Sequence, residues 1–160
     1  SFTVTIDAVN DAPVVVNPIA AVTLNEDFAS PHEVVADLNA NFSDPESQAL
    51  SFSASSDDES VVTVNVDGDK LELNAVADAT GSAIITVTAD DGAAVNNTVS
   101  TSFTVTIAAE NDKPDLTLNM ALKNYIEGNA PLVLDNTLTI TDVDNGNLTG
   151  SSGEHISQLY

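Results

Sequence analysis

Apolar and polar residues alternate along several short stretches of this chain. The alternation is regular in VVTVNV (61–66), KLELNA (70–75) and SFTVTI (102–107). A period of two puts successive side chains on opposite faces of a strand, so one face of each stretch meets a core and the other meets water. Together with shorter apolar runs between turn residues, this pattern predicts seven strands: 14–24, 32–38, 49–54, 61–66, 70–75, 82–89 and 98–107.

The predicted strands indicate an all-β protein. Seven short strands in about 100 residues are typical of an immunoglobulin-like Greek-key β-sandwich. Thr and Val, which fit pleated surfaces, dominate these strands, and no stretch shows a sustained helical period. Asp67-Gly68-Asp69 stands between two alternating runs and predicts a tight hairpin.

The chain also repeats itself. Residues 1–13 (SFTVTIDAVNDAP) and 102–114 (SFTVTIAAENDKP) agree at ten of 13 positions, at an offset of 101. Glu26 and Glu127 keep that offset, whereas FSDPESQALS (42–51) matches ITDVDNGNLT (140–149) at an offset of 98. A regular repeat indicates a tandem array of similar modules.

Three parts follow from the repetition. Residues 1–11 are the last strand and linker of one repeat, 12–112 are a complete repeat, and 113–160 are the first half of the next. Half a sandwich leaves its apolar faces uncovered. We therefore expect 113–160 to be poorly ordered or to pack on another element.

Charge narrows the range of functions. The chain has 25 Asp and Glu against 3 Lys and Arg, a formal net charge of −22. This balance excludes the basic footprint of nucleic-acid binding and disfavours docking on anionic membranes. No apolar run is long enough to span a bilayer, and without Cys there is no disulfide or thiolate site. The carboxylates either cover a solvated surface or are partly neutralised by cations.

Five acidic or Asn-containing landmarks occur in order along the chain: Asn10-Asp11-Ala12-Pro13, Glu26, Asp44-Pro45-Glu46, Ala89-Asp90-Asp91-Gly92 and Asn111-Asp112-Lys113-Pro114. This ordered set resembles bacterial cadherin-like repeats, including the dystroglycan-type variety, over the whole of 1–160. Such repeats occur in tandem in large adhesins, in type I secreted proteins and beside carbohydrate-active modules. The resemblance implies a calcium-binding structural or adhesive repeat of a bacterial secreted or cell-surface protein, with adjacent repeats as its partners.

The resemblance also implies ligands for Ca²⁺ at two junctions between repeats. The upper junction would use Asn10, Asp11, Asp44, Glu46 and Asp90. The lower junction would use Glu26, Asn111, Asp112, Asp142 and Asp144. Oxygen ligands without His or Cys suit Ca²⁺ better than zinc or copper.

The chain departs from the cadherin pattern in its linkers. Ala8 and Ala109 stand where the family has Asp, and Lys113 places a cation beside the lower junction, which should weaken that site. Asp residues that cap turns are an alternative reading of Asp44 and Asp90. For Asp78 and Asp91 the turn reading is preferred.

The sequence leaves two alternative functions to compare with the calcium-binding repeat. One is a carbohydrate-binding accessory module of a secreted polysaccharide-active protein; the partner of the parent protein would then be a glycan rather than a cell-surface protein. The other is an enzyme, which the sequence disfavours because no nucleophile, base and orienting residue occur in a recognisable order.

Overall fold

The computed structural model describes residues 2–5, 9–117 and 139–144. The chain divides into two compact units, Ser1–Glu110 and Asn111–Tyr160. The expectation that 113–160 is poorly ordered concerns mainly 118–138 and 145–160, and Glu127 is among them; these residues lie outside the described ones.

Within its described residues, the first unit contains nine strands and one turn of 3-10 helix at Leu38–Ala40. The strands are β1 (Val14–Val15), β2 (Val22–Asn25), β3 (His32–Val35), β4 (Phe42–Ser43), β5 (Ser51–Ser56), β6 (Val62–Asp67), β7 (Lys70–Ala75), β8 (Gly81–Asp90) and β9 (Thr98–Ala108).

These strands form two main sheets and one small pair. The larger sheet has the order β2-β9-β8-β5, in which β2 and β9 run parallel and the other neighbours run antiparallel. The smaller sheet has the order β3-β7-β6, and β1 pairs with β4. The structure is an immunoglobulin-like all-β sandwich, the fold class that the alternating pattern predicted, with nine strands in the described part of the first unit rather than the predicted seven.

The core lies between the inner faces of the two sheets. Along β8 the residues alternate strictly: Ala83, Ile85, Val87 and Ala89 are buried, whereas Ile84 is exposed. β9 shows the same alternation, and Leu71 and Leu73 of β7 close the core from the other sheet. The period-two pattern of the sequence is therefore the pattern of burial.

The predicted first strand, 14–24, is split in the structure. Its first part, β1, pairs with β4 and ends at Val15, and its second part, β2, pairs with β9 from Val22 onward. Pro18 lies between and cannot donate to a sheet ladder. Hydrogen bonds of two Asn side chains hold the segment between β1 and β2 in place. Asn17 Nδ2 donates to Ala40 O at 2.7 Å, and Asn41 Nδ2 donates to Asn17 O at 2.8 Å.

The predicted second strand, 32–38, ends early at Val35. Asp37 then caps the 3-10 turn by accepting the N–H of Asn39 at 2.9 Å. Leu38 enters the core from this turn and is fully buried. A side-chain cap thus replaces the ladder bonds that a longer strand would have made.

The second unit contains, in its described part, β10 (Asp115–Thr117) paired antiparallel with β11 (Thr139–Thr141). Its pairs Asp115↔Thr141 and Leu116↔Ile140 correspond to Val14↔Ser43 and Val15↔Phe42 of the first unit. The correspondence follows the offsets of 101 and 98 found in the sequence. Among the described residues, no helix is long and apolar enough to cross a membrane.

Candidate metal centre

The linker of the first unit is fastened to two loops by one side chain, Asn10. Its Oδ1 accepts from Gln48 Nε2 at 2.7 Å. Its Nδ2 donates to Asp91 Oδ2 and to Asn96 O, both at 3.0 Å, and Asn96 Nδ2 returns a bond to Asn10 O at 3.3 Å. We call this region, formed by residues 10–11, 44–48 and 90–97, the upper pole.

Asp44 has an incompletely satisfied carboxylate. Its Oδ1 accepts the backbone N–H of Gln48 at 2.9 Å, which shapes the loop after β4. Its Oδ2 is buried and has no hydrogen-bond partner. A buried carboxylate oxygen without a donor is unfavourable, so this atom fits a cation ligand better than a turn cap alone.

The other predicted residues of the upper junction have different surroundings. The N–H of Asp11 donates to Glu46 Oε2 at 3.3 Å, and both residues are exposed. Asp90 Oδ1 accepts from Gly92 N at 2.7 Å and from Asn97 Nδ2 at 3.1 Å. The linker therefore meets Glu46 directly, whereas Asp90 bonds within its own loop.

Asp91, rather than Asp90, meets the linker. It is only 8% exposed, and its Oδ1 accepts the N–H of Ala93 at 2.8 Å while its Oδ2 accepts from Asn10. The sequence pattern favours a turn residue at Asp91. Its inward position could have been predicted from the alternation along β8. The odd-numbered residues of β8 face the core, and residue 91 continues that series.

Glu26 lies at the opposite end of the first unit, directly after β2. It is 7% exposed, its N–H donates to Ala108 O at 2.9 Å, and its Oε1 accepts the N–H of Glu110 at 2.7 Å. Asp27 and Asp78 lie in turns of the same unit, each with φ of 55°, and Asp78 N donates to Asp27 Oδ1 at 3.3 Å.

These four acidic residues, Glu26, Asp27, Asp78 and Glu110, form what we call the lower pole of the first unit. Carboxylate oxygens of Asp27 and Asp78 lie within 4.8 Å of each other. The sequence pattern does not single out Asp27, and it favours a turn residue at Asp78. Their 51-residue separation in sequence leaves no local signal for this pair.

In the second unit the predicted residues of the linker and the Asp-x-Asp motif come together. Asn111 Nδ2 donates to Asp112 O at 2.6 Å, Asp112 N donates to Asp144 Oδ2 at 2.5 Å, and Asp144 N donates to Asp142 Oδ1 at 3.0 Å. The first two bonds repeat those of the first unit, from Asn10 Nδ2 to Asp11 O and from Asp11 N to Glu46 Oε2.

Residues 10–108 match the family described as bacterial Ig domain. The chain belongs to the bacterial Ig domain family. Such domains are typically non-catalytic structural modules, usually carried by surface or secreted proteins.

No curated protein matches this bacterial Ig chain. Among solved structures it is similar to human protocadherin-24 EC1-2, at 16% sequence identity and a TM-score of 0.45. The match covers 84% of this chain, which spans 61% of the length of that structure.

The upper pole of the bacterial Ig domain is strongly negative. Five carboxylates occur there (Asp11, Asp44, Glu46, Asp90 and Asp91), and no Lys or Arg occurs in its segments. No three of these carboxylates have oxygens within 4.8 Å of one another in the described structure. Repulsion between like charges opposes a closer approach of these carboxylates. The segments of the upper pole are instead held together by hydrogen bonds of the Asn10 and Gln48 side-chain amides.

A sugar-stacking platform is not formed by the aromatic residues that the structure describes. Phe42 and Phe103 are buried, and Phe28 and Phe52 are partly buried. Phe2 is exposed. Tyr125 and Tyr160 lie outside the described residues.

Proposed function

We propose that this chain is a calcium-binding structural repeat of a large secreted or cell-surface protein, of the cadherin-like kind found in bacterial adhesins. In this proposal the complete repeat spans 12–112. It is flanked by the last strand and linker of a preceding repeat at 1–11 and by the first half of the next at 113–160. Its partners are the adjacent repeats of the same polypeptide.

The observation that carries the proposal is the buried Oδ2 of Asp44, which has no donor. A cation at the upper pole would satisfy this atom and offset the repulsion among its neighbours. The residues available to hold it are Asn10, Asp11, Asp44, Glu46 and Asp90, together with Asp91. All offer oxygen, the ligand that Ca²⁺ prefers.

Calcium would act here on the linker. Asp11 is part of the linker, whereas Asp44 and Glu46 belong to the loop after β4 and Asp91 to the loop after β8. A cation shared among these segments would fix the direction in which the chain enters the sandwich. Since a ligand that binds only the folded state also stabilises it, calcium should raise the melting temperature and protect the linker from proteases.

The test compares thermal unfolding of 1–160 in EDTA and in millimolar calcium at matched ionic strength. We expect a higher melting temperature with calcium, and slower cleavage near residues 9–12. Asp44→Asn should lose most of the calcium effect, while the matched substitution Asp67→Asn, in the β6–β7 hairpin, should keep it. Equal melting temperatures in EDTA and calcium would refute calcium binding. A full calcium effect in Asp44→Asn would place the ion elsewhere.

A further inference from the structure

The side-chain nitrogen of Asn10 is surrounded by oxygen atoms. Four of them lie between 3.0 and 3.2 Å from Nδ2: Asp11 O, Asp91 Oδ2, Val95 O and Asn96 O. This set fixes the orientation of the amide, because the side-chain oxygen in the same place would face four acceptors and no donor. Three of the four oxygens belong to the loop between β8 and β9, so this loop receives the linker at a position that suits a donor.

The receiving loop gets its shape from its own bonds. Asp91 N donates to Asn97 O at 3.0 Å, and Asp91 Oδ1 accepts the N–H of Ala93 at 2.8 Å. Gly92 and Asn96 have φ of 79° and 51°, a left-handed conformation that these two residue types adopt readily. The oxygens that meet the linker amide are therefore arranged by contacts within the loop.

The contact favours an uncharged donor at position 10. Asp91 is buried, and its Oδ2 accepts from Asn10 Nδ2 at 3.0 Å. A carboxylate at position 10 would put two like charges at this separation with no hydrogen between them, which is unfavourable. Asn96 Nδ2 also donates to Asn10 O at 3.3 Å, so the loop binds the main chain of the linker together with the amide. The loop therefore discriminates between Asn and Asp, which have nearly the same shape.

The second linker of the chain holds the same group in the same way. Asn111 Nδ2 donates to Asp112 O at 2.6 Å, just as Asn10 Nδ2 donates to Asp11 O. In both linkers the asparagine side chain is thus bonded to the main chain of the following residue. The donor is positioned within the linker, and its acceptors are positioned within the loop.

We propose that the loop 91–97 is a receptor for the asparagine side chain of the linker and fixes the direction of the linker without an ion. Asn10 is then a positioning residue that acts through its nitrogen, whereas a cation ligand acts through oxygen. We call the contact of Asn10 with residues 91–97 the amide lock. It is independent of the calcium proposal, because it holds the linker in EDTA, and calcium adds to a linker that is already in place.

The test exchanges the two partner groups of the amide lock in the full chain, in EDTA. Asn10→Asp sets a carboxylate against Asp91, whereas Asn10→Asp combined with Asp91→Asn restores one donor and one acceptor in reversed order. Amide hydrogen exchange of residues 9–12, measured by NMR, reports how often the linker opens. Asn10→Asp should raise the exchange rate at least about tenfold, because a hydrogen bond to a charged group is lost. The double variant should exchange at least about threefold more slowly than Asn10→Asp.

A matched control and a measurement on the wild-type chain complete the test. Asn65→Asp, at an exposed position of β6, adds the same charge away from the loop and should leave the exchange of residues 9–12 unchanged. In the wild-type chain in EDTA, the side-chain NH2 hydrogens of Asn10 should exchange more slowly than those of Asn65. Equal rates for these two side chains, or equal exchange of 9–12 in Asn10→Asp and wild type, would overturn the amide lock. A double variant no slower than Asn10→Asp would also overturn it, because Asp91 would then not be the partner.

The response to calcium separates the amide lock from the calcium proposal. A wild-type linker that is open in EDTA and closed in calcium overturns the amide lock and supports calcium binding. A linker that is closed in both conditions, with the same melting temperature in each, supports the amide lock and refutes calcium binding.

Discussion

At the scale of single residues, several acidic side chains at the loops shape their own turn. Asp37, Asp58, Asp90 and Asp91 each accept the N–H of the residue two positions later. Such Asx turns shape the backbone without any ion. Asp44 differs, because one of its oxygens is buried and unbonded. Burial and hydrogen bonding, rather than acidity, distinguish a candidate ligand from a turn former.

Asp58 offers a test of such a turn. The hydroxyl and the N–H of Ser60 donate to its Oδ1 at 2.5 and 3.0 Å and hold the pKa of Asp58 below its ordinary value of 3.8. A lowered pKa in the folded state adds stability above the unfolded pKa, and this is lost as the pH falls through the folded pKa. Ser60→Ala should raise the pKa of Asp58, as measured by NMR titration. Ser53→Ala, on an exposed strand position, should leave it unchanged, and an unshifted pKa in Ser60→Ala would contradict the assignment.

Asn10 offers a second test at this scale. Asn10→Ala removes a donor to the buried Asp91 and an acceptor for Gln48, so it should lower the free energy of unfolding by about 1–3 kcal/mol. Urea unfolding in EDTA measures this loss without a contribution from calcium. Asn65→Ala, at an exposed position of β6, should change stability by no more than about 0.5 kcal/mol. Equal effects of the two substitutions would show that the Asn10 network does not stabilise the fold.

At the scale of elements, the larger sheet separates apolar and hydroxyl side chains by parity. Its inner face carries Ile85 and Val87, and its outer face carries Ser and Thr, including the cross-strand pairs Thr88–Ser100 at 2.8 Å and Ser82–Thr106 at 3.2 Å. Because the period of a strand is two, one inserted or deleted residue would exchange the faces. The strand register, and with it the inward side of Asp91, follows from this separation.

Two neighbouring isoleucines of β8 test the separation directly. Ile85→Ala removes a fully buried side chain and should cost about 2–5 kcal/mol of unfolding free energy. Ile84→Ala acts on a side chain that is 48% exposed and should cost less than about 1 kcal/mol. Urea unfolding of both variants checks the difference. Similar losses would mean that the register of β8 is wrong.

At the scale of the whole chain, charge opposes compaction. A net charge of −22 creates self-repulsion that salt screens, and the ion pair found among the described residues, Lys70–Glu33 at 3.0 Å, is exposed. An exposed pair contributes little. Stability should therefore respond strongly to the ionic conditions.

Sodium chloride should raise the melting temperature of 1–160 through screening alone, since the Debye length falls to about 10 Å at 0.1 M. Calcium at the same ionic strength should raise it further, because specific binding adds to screening. Scanning calorimetry over both salt series separates the two effects. A melting temperature independent of sodium chloride would show that the carboxylates are too far apart to repel.

The sequence by itself determined the fold class, the strands with regular alternation and the duplication. VVTVNV, KLELNA and SFTVTI form strands where predicted, because a period of two is a local property of the chain. The pairing of β10 with β11 follows the offsets of 101 and 98 for the same reason: equal local patterns make equal strand pairs.

The tertiary structure alone decided the rest. It split the first strand across two partners, joined Asp27 to Asp78, and brought Asp91 rather than Asp90 to the linker. Each of these three outcomes depends on residues that are distant in sequence. The sequence around an acidic residue does not indicate which other carboxylates will lie near it in the folded chain. Which oxygen is buried without a partner, as in Asp44, is set by packing from several segments at once, so only the folded chain could show it.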